Sequence, residues 1–473
     1  MKILFVDSAR YRPDGTVSRT GRAYIPAITL PRLAALTPRD IEVRINLDLL
    51  AEPDYAWRPD IVAITGYTKS MARAYDIAAK FRGGGAHVAM GGIHVSMVPD
   101  EALERCDTVF VGEAEATWPR FIEDFRRGVP QRLYKGDSKQ PLAGWPVPRY
   151  DLLDPEQFYT LRRRGPLSRV IPVPAYPVET SRGCPHACSF CSVSPFLGTA
   201  YRVRPIPEVV EEIKALKAKC CLFVDNNLFG DHARAKDLLR ALIPLKISWV
   251  SHATLASADD EELLELAEAS GCRSITVGLE SITEEGLSGY NKGVNRVSDY
   301  RRQIKAYTDH GISVLASMVF MPGYGATDQF RKACDFLVEA KVPYAAWWNL
   351  TPLPATPFYR DLKEKGLLKR DNWWLYKPGK YPDYKFCGPD MAEEDFRREY
   401  LRAYRRFYSL PSILRRIPSH FKPGWQAEVL WNIGAFFVSR LRKDAMNLYS
   451  PFDHDKGLLS FLKWRFFGPG RRA

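Results

Sequence analysis

The 473-residue chain is predicted to be an α/β protein in three parts: a flavodoxin- or Rossmann-like parallel sheet, an open (β/α)6 partial TIM barrel, and a helical C-terminal extension. Three observations predict this. Residues 1–140 alternate short apolar runs with stretches of helical period, the pattern of a parallel sheet with crossover helices. From Ala175 to about Leu362 the alternation runs through six further strand–helix units. Beyond Gly366 strands cease, and helical period continues in sequence rich in Arg, Trp, Phe and Tyr.

In the first part, strands read at Lys2–Asp7, Ile41–Asn46, Ile61–Tyr67, His87–Gly91 and Thr108–Val111, with a helix over Met71–Arg82. Small residues or glycines follow three strand ends, at Thr65-Gly66, Gly91-Gly92 and Gly112-Glu113. In open α/β sheets ligands bind beyond the carboxyl ends of strands, where such turns let a cofactor approach the backbone. A turn- and proline-rich linker spans 141–174, beginning Pro141-Leu-Ala-Gly-Trp-Pro-Val-Pro-Arg149.

The second part, 175–365, reads as strands at Ala175–Thr180, Cys221–Asp225, Ser248–Ala253, Ser274–Glu280, Ser313–Phe320 and Ala345–Leu350. Helical stretches lie between them, as at Asp259–Ser270 and Val297–His310. Six units are too few for a closed eight-fold barrel, and chemistry is expected at the carboxyl ends of the strands. The third part, 366–473, has helical periodicity at Glu393–Tyr408 and Ala427–Leu441.

The densest chemical signal is Glu179-Thr-Ser-Arg-Gly-Cys-Pro-His-Ala-Cys-Ser-Phe-Cys191. Cys184, Cys188 and Cys191 at C-x3-C-x2-C spacing can turn onto one metal cluster, and a four-iron cube held by three thiolates keeps one iron open. The alternative is a structural zinc site with His186 as fourth ligand, but such sites usually pair two C-x2–4-C or H-x3–5-H elements and no second pair is present.

Polar residues end successive strands of the second part. They are Asp225-Asn226-Asn227, His252, Glu280-Ser281, the Met321-Pro-Gly-Tyr-Gly-Ala-Thr327 turn and the Thr351-Pro-Leu-Pro-Ala-Thr-Pro357 turn. Bland readings compete at each: an Asx turn before Asp231, or a packed core histidine at His252. Their shared position at one end of consecutive strands favours a ligand-binding rim.

The cysteine loop resembles that of the radical S-adenosylmethionine (SAM) superfamily. More narrowly, the chain resembles members with an N-terminal cobalamin-type domain and a basic C-terminal extension, such as hopanoid methylases and the anaerobic magnesium-protoporphyrin cyclase. The resemblance implies a [4Fe-4S] cluster on the three cysteines and SAM bound by Phe190, Asp225, Asn226, His252, Glu280, Ser281, Pro322 and Gly323. Leu279 stands where the family has Phe, and Ala355 where it more often has Gly. Cobalamin is implied at Thr65, Gly66, Gly91, Gly92, His94, Gly112 and Glu113. The family's Asp-x-His-x-x-Gly motif is absent, so a packed turn is the stronger reading of His94.

The implied activity is cleavage of SAM to a 5′-deoxyadenosyl radical, followed by cobalamin-dependent (class B) methylation of an unactivated carbon of a hydrophobic metabolite. A non-methylating cyclase or oxidase of the same family, or a non-catalytic iron–sulfur protein, remains as an alternative. No catalytic acid or base stands out. A reductant such as flavodoxin or ferredoxin is implied as partner.

Composition bounds the setting. Nine cysteines, odd in number and unevenly spaced, fit a reducing cytoplasm rather than a disulfide framework. Residues 401–473 carry 14 Lys and Arg against 4 Asp and Glu, a net +10 of the chain's +13. Without a recognisable nucleic-acid module, this basic–aromatic segment reads either as a structural cap or as a surface touching anionic lipid at the inner face of the membrane.

Overall fold

Alternate residues of the first strand, Ile3 and Phe5 on one face and Leu4 and Val6 on the other, are all buried, as a parallel sheet covered on both sides requires. In the computed structural model, which describes residues 1–12, 14–20, 27–163, 170–320, 328–376, 393–416 and 425–441, this strand is β1 (Lys2–Asp7). It lies between β2 (Glu42–Leu47) and β3 (Ile61–Thr65), and the sheet continues through β4 (His87–Gly91), β5 (Thr108–Val111) and β6 (Leu133–Lys135). Every pairing is parallel. The order β2-β1-β3-β4-β5 is the flavodoxin order, whose switch point lies between β1 and β3. Strand β6 is three residues long, too short for an apolar period to reveal it in sequence.

Ile3, Phe5, Ile61 and Ala63 pack under Leu30, Trp118 and Phe121 from the flanking helices. Leu4, Val6, Val62 and Ile64 pack under the helix Met71–Gly83, and Tyr359, Trp373 and Trp374 join this second core. Each large apolar side chain so buried contributes about 1.5–3 kcal/mol.

The chain forms two compact units. One comprises Met1–Pro185, Phe190–Val224 and Pro352–Pro382; the other comprises His186–Ser189, Asp225–Thr351 and Asp383–Ala473. The first unit also holds β7 (Tyr159–Arg163), antiparallel to β8 (Val170–Val178), the short antiparallel pair β9 (Ser181–Arg182) and β10 (Arg202–Val203), and β11 (Cys220–Phe223), parallel to β8.

The second unit holds β12 (Ser248–Ala253), β13 (Cys272–Glu280), β14 (Ser313–Phe320) and β15 (Tyr344–Asn349), parallel and adjacent in that order. Helices 232–242, 261–269, 300–309 and 329–339 provide the crossovers. Asp231 and Asp260 cap two of them by accepting the amides of Arg234 and Leu263. All six strands predicted for 175–365 are present, with ends shifted by a few residues.

Helices Glu393–Phe407, Leu410–Arg416 and Trp425–Leu441 cover β15, the edge strand. The Tyr408 hydroxyl accepts the Ala345 amide at 3.3 Å and donates to the Ala345 carbonyl at 2.9 Å. Tyr400 donates to Trp347 O, and buried Arg416 donates to Val342 O and Pro343 O, each at 2.9 Å. These described parts of the basic extension are a structural cap. Among the described residues no helix is long and apolar enough to cross a membrane.

Candidate functional site

The cysteine loop is the segment between β9 and β10, whose pairing, Arg182 with Arg202 and Ser181 with Val203, closes its ends. Cys184 and Cys191 are half-buried, Cys188 is buried, and none forms a disulfide. The middle of the loop is fixed through its backbone: Ser189 N donates to Tyr290 O at 3.0 Å, and Asn291 Nδ2 donates to Ala187 O at 2.8 Å.

Two residues before Cys184, Arg182 lies among three carboxylates. It bonds Glu179 at 2.8 and 2.9 Å, pairs with Glu113 at 3.0 Å, and donates to Glu115. Its guanidinium sits 4.5 Å from the Trp145 ring centre. Arg202, across the β9–β10 pair, also pairs with Glu113. Glu113, expected on the cofactor side of β5, thus directs its carboxylate to the base of the cysteine loop.

Beneath this lies a buried triad, in which Glu212 Oε2 accepts from Arg32 at 3.1 Å and from Arg204 at 3.0 Å. Sequence reasoning missed these arginines. The signal available was four of them (Arg182, Arg202, Arg204 and Arg32) in otherwise neutral surroundings, without any indication of partners.

In the second unit Glu280 is shaped by a break in register. Strand pairing skips from Gly278 to Glu280, a bulge that re-aims the side chain, and Glu280 adopts φ 63°. A left-handed glutamate costs about 1–2 kcal/mol and marks a site where geometry has overridden local preference. Its carboxylate lies 3.4 Å from Lys292 Nζ and accepts from Ser317 Oγ at 3.5 Å. Burial, opposed by Lys292, raises its pKa. A Cβ on Gly278 would stand 2.1 Å from Glu280 Oε1, so a side chain there would displace the carboxylate from its place beside Lys292. Asn295 and Tyr300 clamp the turn by donating to the Leu279 carbonyl at 3.2 and 3.0 Å.

The other rim residues fall as follows. Asp225 is buried and Asn226 exposed; Asn227 is buried and accepts the Thr254 amide. Because Asp231 caps the following helix, Asp225 is not that cap. His252 is exposed on β12, Ser281 is half-buried in a turn with Thr283, and Phe190 is half-buried. Pro322 and Gly323 lie outside the described residues.

At the carboxyl end of the first sheet, Thr65, Gly91, Gly92 and Gly112 are part-exposed and Gly66 is buried. Gly92 has φ +100°, and a Cβ there would meet Thr65 Oγ1 at 2.5 Å; one on Gly66 would meet Ser8 and Ser70 hydroxyls at 2.3 and 2.4 Å. His94 lies inside the fold at this end of the sheet. It is fully buried, with Nδ1 3.2 Å from Thr68 Oγ1 and Nε2 3.4 Å from Glu101, so neither ring nitrogen is presented to a cofactor. Glu101 also receives Tyr75 at 2.7 Å and Trp374 at 2.9 Å. Burial works to raise the Glu101 pKa, but these donors outweigh it and hold the group anionic.

Residues 178–337 match the model of the radical SAM superfamily, and residues 33–122 match that of the B12 binding domain. The chain carries a radical SAM domain and a B12 binding domain. It is 26% identical over 364 residues to bacteriochlorophyllide d C-12(1)-methyltransferase of Chlorobaculum tepidum, covering 76% of each chain. It is 24% identical over 368 residues to hopanoid C-2 methylase of Rhodopseudomonas palustris, covering 74% of this chain and 66% of that one. The fold matches the radical SAM methyltransferase TsrM of Kitasatospora setae, solved with cobalamin and a [4Fe-4S] cluster, with TM-score 0.62 and 18% identity over 93% of this chain and 99% of that one.

As a radical SAM protein with a B12 domain, the chain has a flavodoxin-type domain, a partial barrel, and three cofactors: a [4Fe-4S] cluster, SAM and cobalamin. Its residues fit them. The cluster loop supplies three unbridged thiols. Among the described residues no three His, Cys, Asp or Glu side chains converge on one point. The thiolates of a cube each take a different iron and need no such convergence. The part-exposed strand ends at Gly91, Gly92 and Gly112 leave backbone for a large planar ring to lie against.

Proposed function

We propose that the chain is a cobalamin-dependent C-methyltransferase acting on an unactivated carbon of a large apolar metabolite. Relatives named for bacteriochlorophyllide and hopanoid substrates support the substrate class. The observation that carries the reading is Arg182, which ties the loop of Cys184 to Glu113 and Glu115 at the end of β5, bracing two cofactor loops on one side chain.

In this reading Cys184, Cys188 and Cys191 hold the cluster. Phe190, Asp225, Asn226, His252, Glu280, Ser281, Pro322 and Gly323 hold SAM, with Glu280 and Lys292 as a charge pair that meets its polar groups. Thr65, Gly66, Gly91, Gly92 and Gly112 offer backbone to the corrin, and Glu113 acts as the brace. When bound, these cofactors supply a carbon-centred radical and a transferable methyl group. The protein's part is to position them and keep water out. A reductant such as flavodoxin or ferredoxin feeds the cluster. The cationic end of the chain, residues 401–473, touches anionic lipid at the inner membrane face, where apolar substrates collect.

The test is anaerobic turnover of the reconstituted enzyme with SAM and extracts of apolar metabolites. Methyl transfer requires both 5′-deoxyadenosine and S-adenosylhomocysteine, and Cys191→Ala should abolish the first. Formation of 5′-deoxyadenosine alone would transfer the reading to the cyclase or oxidase class.

A further inference from the structure

The corner of the first sheet where β1 and β3 diverge carries two side chains that the packing of the sheet does not employ. Asp7 is the last residue of β1, in register with Leu47 and Thr65 of the neighbouring strands. Its carboxylate makes no hydrogen bond or ion pair among the described residues. Tyr67, just past Gly66 at the end of β3, is 72% exposed, the largest value among the exposed large apolar side chains described. The backbone beneath them is rigid: Ser8 Oγ lies 3.0 Å from Ser70 Oγ and donates to the Thr65 carbonyl at 3.1 Å.

The cations nearby are already engaged. Asp48, beyond β2, receives Arg73 through two bonds of 2.9 Å and Arg19 at 3.3 Å, and Glu52 shares both arginines. Asp7 is therefore a carboxyl at the switch point of a parallel sheet, where ligands bind, with a neighbouring anion and, among the described residues, no cation of its own.

We propose that Asp7 and Tyr67 are contact residues for the bound corrin, Tyr67 against its ring and Asp7 as the protein's proton-exchanging hydrogen-bond partner to it. The proposal rests on the B12-binding assignment and adds to it two residues outside the glycine turns. Burial, and secondarily Asp48, push the Asp7 carboxyl up to about 7. Below that pH the group is an acid that donates; above it, a carboxylate that accepts and places negative charge beside the cofactor. Asp48, Arg73, Arg19, Glu52 and Tyr67 are the charged and titratable groups around it, and the first four are locked in mutual pairs.

The experiment uses the holoenzyme with cobalamin held in the cobalt(II) state, read by electron paramagnetic resonance and visible absorption from about pH 6 to about pH 8, one unit either side of the midpoint. The wild-type signal is expected to change with pH, and Asp7→Asn, which cannot exchange the proton, to bind cobalamin with a pH-independent signal. Tyr67→Ala is expected to keep the pH change and to weaken cobalamin binding by about 3- to 10-fold, the value of one aromatic contact. A pH change retained in Asp7→Asn, or undiminished affinity in Tyr67→Ala, overturns the assignment. Should Asp7→Asn fail to fold, Asp7→Glu decides by whether its midpoint moves. A wild-type protein that takes up no cobalamin removes the B12 reading itself, a failure distinct from that of the corner.

Discussion

Replacing Glu212 by Gln removes the anion between two guanidinium groups that have almost no contact with water. The side chains of Arg32, Glu212 and Arg204 are 2%, 2% and 0% exposed, and both arginines use the same oxygen of Glu212. Breaking a buried ion pair by deleting one partner costs about 3–5 kcal/mol. Two charge-assisted hydrogen bonds at about 1.5–3 kcal/mol each give the same range. Glutamine keeps the shape but puts an NH2 where Glu212 Oε1 has no partner, so the amide adds an unsatisfied donor. The expected loss is thus about 3–5 kcal/mol. For a unit of roughly 250 residues, at about 2–4 °C per kcal/mol, Tm falls by about 6–20 °C. Urea unfolding followed by tryptophan fluorescence measures this directly, because Trp145 lies 5.1 Å from Arg32 and 5.6 Å from Arg204 and reports locally. A loss under about 1 kcal/mol at unchanged slope would refute the reasoning, since it would mean that the two cations do not depend on the carboxylate.

Two further substitutions probe single features. Ala355 adopts φ +61°, so Ala355→Gly relieves about 1–2 kcal/mol of left-handed strain against about 0.4–1 kcal/mol of added chain entropy, and Tm should rise slightly. A fall would show that the methyl group is packed rather than strained. Tyr408→Phe leaves the Ala345 amide and carbonyl on the edge strand without their side-chain partner, at a cost of about 1–3 kcal/mol. Hydrogen exchange at the Ala345 amide should quicken, and unchanged protection would mean that the helical cap alone excludes water.

The longer parallel strands were legible because each is a run of apolar residues, as in Lys2–Asp7 and Ser313–Phe320. The cysteine loop was legible because its ligands are local. Glu280 could be singled out as an acid behind an apolar strand, but not its bulge or its pairing with Lys292, twelve residues on. The buried triad was invisible: Arg32 and Glu212 are 180 residues apart, and nothing local in either names the other. His94 was legible as a packed side chain but its partners were not, since the Glu101, Thr68 and Trp374 side chains around it come from other turns of the chain. The basic extension divided by position. Its tyrosines and Arg416, in a segment read as either a cap or a lipid surface, face inward on β15, where an aromatic ring with a hydroxyl or a planar cation can satisfy backbone groups.

Covering β15 with helices from the end of the chain also has a consequence for synthesis. The strand Tyr344–Asn349 emerges from the ribosome well before residues 393–441 that cover it. In that interval its outer amides and carbonyls are open to any other strand, including one from a neighbouring nascent chain. A messenger cut short before residue 393 would therefore yield a chain with an adhesive sheet edge, not merely a shorter enzyme. Slow translation of the extension would lengthen the same exposure.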